Sequence, residues 1–96
     1  MLPERQATQP VLTVDLLEQG IAALETLGYQ IRVETELGRS MTCVIKGRPW
    51  LVLDPNQAPR EQLEIVLEAL RQEQRRMHVT FPSELTRALD FGRKAA

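Results

Sequence analysis

Apolar residues recur every three or four positions in three stretches of the chain, and this spacing predicts three helices. Thr13 or Asp15 can cap the first helix, and Gly28 supplies its left-handed end. The second helix is predicted to start at Pro59, where no backbone donor is needed, and the third follows Ser83. The inward positions are Leu17, Ile21, Leu24 and Leu27, then Leu63, Val66, Leu67 and Leu70, and finally Leu85, Ala88 and Leu89.

The first helix contains a glycine in its interior, Gly20. Glycine in a helix costs about 1 kcal/mol relative to alanine, because it loses more backbone freedom on folding. We therefore expect another backbone or a large side chain to pass close to the helix at this position.

Between the first two helices, apolar and polar residues alternate with a period of two, which predicts strands. The first strand covers residues 29–34 and the second covers 41–46. Residues 50–53 are apolar without a break, as expected of a strand covered on both faces. Residues 77–81 alternate only in part, which leaves a fourth strand and an extended connector as alternatives.

These elements predict a small single-domain α+β fold in the order α-β-β-β-α-(β)-α. We expect a three-stranded antiparallel meander with the first two helices packed on one face of the sheet. Residues 1–12, which contain Pro3 and Pro10 and no apolar periodicity, are predicted to be a flexible leader to a domain at 13–96.

The composition favours a soluble globular protein, since 43% of the 96 residues are apolar and 26% are charged. No apolar run approaches the roughly 20 residues that cross a bilayer, so no membrane association is expected. The single cysteine excludes an intramolecular disulfide, and Met1 is not followed by a basic and then apolar signal segment. The expected location is the cytoplasm of a bacterium.

The C-terminal part of the chain is basic although the net charge is −1. Its basic side chains are Arg75, Arg76, Arg87, Arg93 and Lys94. They are a candidate surface for an acidic partner or for nucleic acid. Residues 79–89 also resemble the strand, proline and first helix of a ribbon-helix-helix repressor, but too few residues follow Leu89 for that family's second helix.

Candidate catalytic chemistry is sparse. Cys43 and His78 are the only cysteine and histidine, and they fall on different predicted elements, too few to bind zinc. Cys43 lies in a strand among apolar neighbours, which favours an inert thiol. We expect no enzymatic activity and no cofactor. A site completed across two chains would use Cys43, His78, Asp54 and Glu68.

The segment from Cys43 to Leu70 resembles the hairpin and helix that carry the HExxH motif in some zinc peptidases. Residues 66–70, where such an enzyme would have its metal ligands, read Val-Leu-Glu-Ala-Leu. The resemblance therefore implies, at most, a degenerate scaffold without the metal.

A broader resemblance rests on Leu27-Gly28-Tyr29 followed by Cys43, Gly47 and Arg48. This pattern resembles small uncharacterised bacterial proteins of the LGY…C-x-x-x-G-R type, and it implies no particular activity, cofactor or catalytic residue. With many folding signals and no reacting groups, we expect a non-catalytic protein-interaction or regulatory module. The first or third strand is expected at the sheet edge, where pairing between chains would give a homodimer.

Overall fold

The computed structural model describes residues 3–73 and 79–95, with side chains described at 13–73 and 79–90. The elements are α1 (Pro3–Thr26), β1 (Gln30–Val33), β2 (Met41–Ile45), β3 (Arg48–Leu53), α2 (Pro59–Gln72) and α3 (Ser83–Ala95). They form a small single-domain α+β fold with a three-stranded sheet, which confirms the predicted class.

The strand order differs from the predicted meander. β3 lies in the centre, in the order β1-β3-β2, and it runs parallel to β1 and antiparallel to β2. Residues 34–40 therefore carry the chain across the end of β3. Central placement gives the most apolar strand a neighbour on each side, and Leu51 and Leu53 on the helix-covered face are buried. Trp50 and Val52 on the opposite face are only half-buried, so that face is less covered than the apolar run predicted. The two edges of the sheet are β1 and β2, and the prediction that β3 could be an edge was wrong.

A two-residue turn joins β2 to β3. Lys46 and Gly47 both have positive φ angles, 52° and 79°, as a tight hairpin turn of this kind requires. Arg48 and Pro49 precede the strand predicted at 50–53, and in the structure they belong to β3. Pro49 is tolerated there because β1 begins opposite Trp50, so no strand on that side needs its missing N–H.

Both α1 and α2 pack on one face of the sheet, as predicted. Leu51 and Leu53, which are alternate residues and therefore share a face of β3, lie in one buried cluster with side chains of both helices. α3 adds Leu85 and Leu89 to that cluster. The remaining buried apolar members are Leu17, Ala23, Leu24, Leu27, Leu63, Val66, Ala69 and Leu70.

Helix α1 begins at Pro3, earlier than Thr13 or Asp15 would place it. Proline suits a first helical position, because its missing N–H would have no partner there in any case. The predicted boundary at residue 12 therefore falls inside a helix, and the flexibility of residues 1–12 stays a prediction. At the other end Gly28 has φ 103°, the left-handed conformation predicted for the helix stop.

The segment before α3 contains no strand between residues 79 and 82. Val79 and Phe81 pack against the core, so this part of the chain is a connector held by two apolar side chains. Residues 77 and 78 lie outside the described part. Within the described ranges, no helix has both the length and the apolar character needed to cross a membrane.

The contact between α1 and α2 depends on Gly20, as the sequence predicted. A Cβ atom built on Gly20 would overlap Cγ1 of Val66, and Leu70 Cδ1 would lie 3.8 Å from it. Val66 is fully buried. Gly20 therefore lets α2 approach more closely than any other residue would allow.

We expect Gly20→Ala to destabilise the protein by about 1–2 kcal/mol, because overpacking outweighs the gain of about 1 kcal/mol in helix propensity. Urea unfolding followed by the fluorescence of Trp50, the single tryptophan, measures this. In a Val66→Ala background the same change should instead be stabilising, since the obstructing methyl groups are gone. Stabilisation by Gly20→Ala in the unmodified chain would contradict the close contact.

Candidate functional site

Among the described residues, no strand pairs with the outer side of β2, which is an edge of the sheet. In a hairpin with a two-residue turn, the residues flanking the turn, here Ile45 and Arg48, exchange both backbone hydrogen bonds. Hydrogen-bonded and non-hydrogen-bonded residue pairs then alternate along the ladder. Thr42 and Val44 therefore belong to non-hydrogen-bonded pairs. Pro49, which cannot donate, lies opposite Val44, in agreement with this alternation. The N–H and C=O groups of Thr42 and Val44 therefore point away from β3.

A neighbouring hydrogen bond supports this geometry. Ser40, two residues before Thr42 and thus oriented in the same way, donates its backbone N–H to Gln57 Oε1 over 2.7 Å. The Gln57 side chain takes the place that an additional strand would occupy at that position. Within residues 3–73 and 79–95, no such partner meets the outward backbone groups of Thr42 and Val44.

A groove of about 520 Å³ lies between this edge and helix α2. Thr42 is paired with Leu51, so its side chain is on the helix-covered face and lines the groove. Ile65 and Ala69 contribute apolar surface from α2. The other lining residues are Arg39, Ser40, Met41, Gln57, Glu61, Glu64, Glu68 and Gln72.

The groove is acidic because one side of α2 carries a row of carboxylates. Glu61, Glu64 and Glu68 recur at intervals of three and four residues and are exposed. Glu68 accepts a 2.8 Å hydrogen bond from Gln72 and has Arg71 Nη1 at 3.6 Å. Neither Glu61 nor Glu64 has an ion-pair partner among the described side chains.

Arg71 is turned away from the groove by a second set of contacts. Its guanidinium donates to the backbone carbonyls of Leu89 at 3.2 Å and Ala88 at 3.4 Å in α3. It therefore joins α2 to α3 and neutralises only one end of the carboxylate row. Arg39 is the basic residue that lines the groove itself.

A buried polar junction closes one end of the groove. Asp54 is 2% exposed; its N–H donates to Ser40 Oγ over 3.0 Å, and its Oδ1 accepts from the N–H of Asn56 over 2.9 Å. Asn56 Nδ2 donates to the carbonyl of Thr35 over 3.2 Å. These bonds fasten the crossing loop at 34–40 to the turn that precedes α2, and they hold Ser40 in its edge position.

The structure does not assemble the candidate catalytic residues. By the strand register Cys43 lies beside Trp50 on the face of the sheet away from the helices, whereas Glu68 is on α2 and Asp54 is in the buried junction. His78 lies outside the described residues. No group of three or more His, Cys, Asp or Glu side chains is placed to hold a metal ion in the described part of the chain.

The α2 side chains that were compared with the HExxH motif of zinc peptidases do not line the groove as a pair. Val66 and Leu70, at the ends of the pentapeptide compared with HExxH, are fully buried rather than in the groove. Glu64 and Glu68, which are four positions apart like the two histidines of HExxH, line the groove instead.

Only one of the predicted basic candidates is a described side chain. Arg87 is exposed on α3. Arg93 and Lys94 belong to the last turns of α3, beyond the last described side chain, and Arg75 and Arg76 lie outside the described residues. A common basic face for these five residues stays a prediction.

No protein-family model, curated protein or solved structure matches this chain. Sequence reasoning missed the groove; it correctly offered the first strand as a sheet edge but did not predict that β2 is the other edge. One signal was present, the row of glutamates on α2 that is not matched by lysines four residues later.

Removal of the Ser40 hydroxyl tests the junction. We expect Ser40→Ala to lower the free energy of unfolding by about 1–3 kcal/mol, because the buried N–H of Asp54 loses its acceptor. The exposed Thr80→Ala variant, which removes a hydroxyl and a methyl group, is the control and should change stability by less than about 0.5 kcal/mol. Equal effects in urea unfolding would show that the junction contributes nothing.

Proposed function

We propose that this protein is a non-catalytic protein-interaction module that binds an extended segment of a partner along β2. The observation that carries this proposal is the pair of residues Thr42 and Val44, whose outward backbone groups have no partner among the described residues, with Thr42 also lining the groove. A strand added to an edge of this kind gains main-chain hydrogen bonds from the edge and side-chain contacts from the adjoining groove.

The exposed apolar side chains of β2 support the same site. Val44 is 71% exposed and Ile45 is 48% exposed at the hairpin end of the strand. Natural sheet edges are commonly protected by charges, prolines or bulges, and β2 itself has none of these.

The other edge of the sheet is a weaker candidate. β1 is only four residues long, and Arg32 forms an ion pair with Glu34 along it. The N–H of Glu34 donates to the carbonyl of Leu53, so by the alternation of a parallel ladder the outward N–H groups of β1 belong to Ile31 and Val33. Val33 is 59% exposed and does not line the groove beside β2.

A second copy of this chain is one source of the partner strand, although the homodimer expected from the sequence would pair through the first or third strand. Two β2 strands paired antiparallel through Thr42 of one copy and Val44 of the other would place the two Cys43 residues opposite each other. Sedimentation of the protein at high micromolar concentration reports such a homodimer.

We expect Val44→Pro to abolish partner binding while leaving the hairpin intact, because the lost N–H points away from β3. The probe is a displayed library of random 12-residue peptides selected against the unmodified protein. Selected peptides should bind Val44→Pro at least tenfold more weakly. In the unmodified protein they should also slow exchange of the Thr42 and Val44 amide hydrogens, measured by NMR.

Val33→Pro is the matched control, since it removes an outward N–H from the opposite edge. Peptide binding should be unchanged in this variant. Selected peptides that bind Val44→Pro as tightly as the unmodified protein, or that protect β1 instead, would overturn the proposal.

A further inference from the structure

We infer that the segment bound along β2 is basic, with lysine or arginine at alternate positions. This inference rests on the proposed function and deepens it by naming the chemistry of the partner.

Every second side chain of an added strand would meet the groove. Directly paired residues of neighbouring strands share a face, so every second side chain of the added strand would lie on the face of Thr42 and Val44. That face is the one covered by α2, and Thr42 lines the groove. Alternate residues of the partner are therefore presented to the carboxylate row.

The spacing of the glutamates along α2 is close to the spacing of alternate residues in an extended strand. Glu64 and Glu68 are one helical turn apart, which is about 6 Å along the axis of α2. Alternate residues of an extended strand are about 6.8 Å apart. Two basic side chains at alternate positions can thus meet two successive carboxylates, and long flexible stems absorb the small difference.

The groove also has apolar surface that the aliphatic part of a lysine or arginine side chain can cover. Ile65 and Ala69, which directly follow Glu64 and Glu68 along α2, contribute apolar surface to the groove. The aliphatic parts of lysine and arginine can cover this apolar surface while their charged ends reach the carboxylates. Short polar or acidic side chains would satisfy neither requirement.

The same charges disfavour a second copy as the occupant. A two-fold axis between paired β2 strands would bring the α2 helices of both copies to the same face of the joined sheet. The two rows formed by Glu61, Glu64 and Glu68 would then face each other across the seam. Like charges placed together in this way reduce affinity, whereas a basic strand is attracted.

Four fluorescent peptides of one length test the inference by anisotropy. The first alternates lysine and valine, the second replaces each lysine by glutamine, and the third replaces each lysine by glutamate. The fourth keeps the lysines but replaces each valine by proline, so that it has the same charge and cannot form a strand. We expect the lysine–valine peptide to bind at least tenfold more tightly than the others, and its affinity should fall as salt is raised.

The matching protein variant is Glu64→Gln with Glu68→Gln, which removes two charges from the groove. We expect it to bind the lysine–valine peptide about five- to tenfold more weakly. The control is Glu18→Gln with Glu25→Gln, which makes the same charge change at exposed positions of α1 and should leave the affinity within twofold.

The outcomes separate this inference from the proposed function. Equal binding of the lysine and glutamine peptides, with both lost in Val44→Pro, would overturn the basic partner and retain the strand-binding edge. Equal binding of the valine and proline peptides would overturn edge pairing itself. A sedimenting dimer that excludes the peptides and is lost in Val44→Pro would show that a second copy occupies the edge, and it would overturn the basic partner.

Discussion

The close contact between Gly20 of α1 and Val66 of α2 is the constraint on which the other features depend. It fixes the rotation of α2, because Val66 and Leu70 must face α1 and the sheet. Once that face is set, the helical period places the glutamate row on the side that looks toward β2. The packing of the core and the charge of the groove are therefore two consequences of one helix–helix contact.

The sheet edges differ in how far they are protected from pairing with another strand. At the start of β2, the Gln57 side chain accepts a hydrogen bond from the outward N–H of Ser40, and β1 carries the charged, ion-paired side chain of Arg32. Farther along β2, the outward backbone groups of Thr42 and Val44 have no partner in the described part of the chain, and Thr42 lines the groove. An open edge carries a risk of unwanted pairing, which supports a functional reason for it. The carboxylate row formed by Glu61, Glu64 and Glu68 would favour basic strands among those that could bind to this edge.

The amino-acid sequence determined the elements and their inward faces. Periodic leucines located all three helices, Pro59 located the start of α2, and Gly28 located the end of α1. Gly20 was correctly associated with a close neighbour, because glycine has a known energetic cost inside a helix. The unbroken apolar run at 50–53 identified the best covered strand. These signals are local, since each depends on residues within a few positions of one another.

The tertiary structure decided how those elements are joined in space. A period of two identifies a strand but not its neighbours, so the sequence did not show that residues 34–40 cross the end of β3 and leave β2 at the edge. The groove needs Thr42 and Glu64 side by side, and these residues approach only because β3 is central and α2 is held by Gly20. Pairing partners and site geometry arise from contacts distant along the chain, which no local pattern encodes.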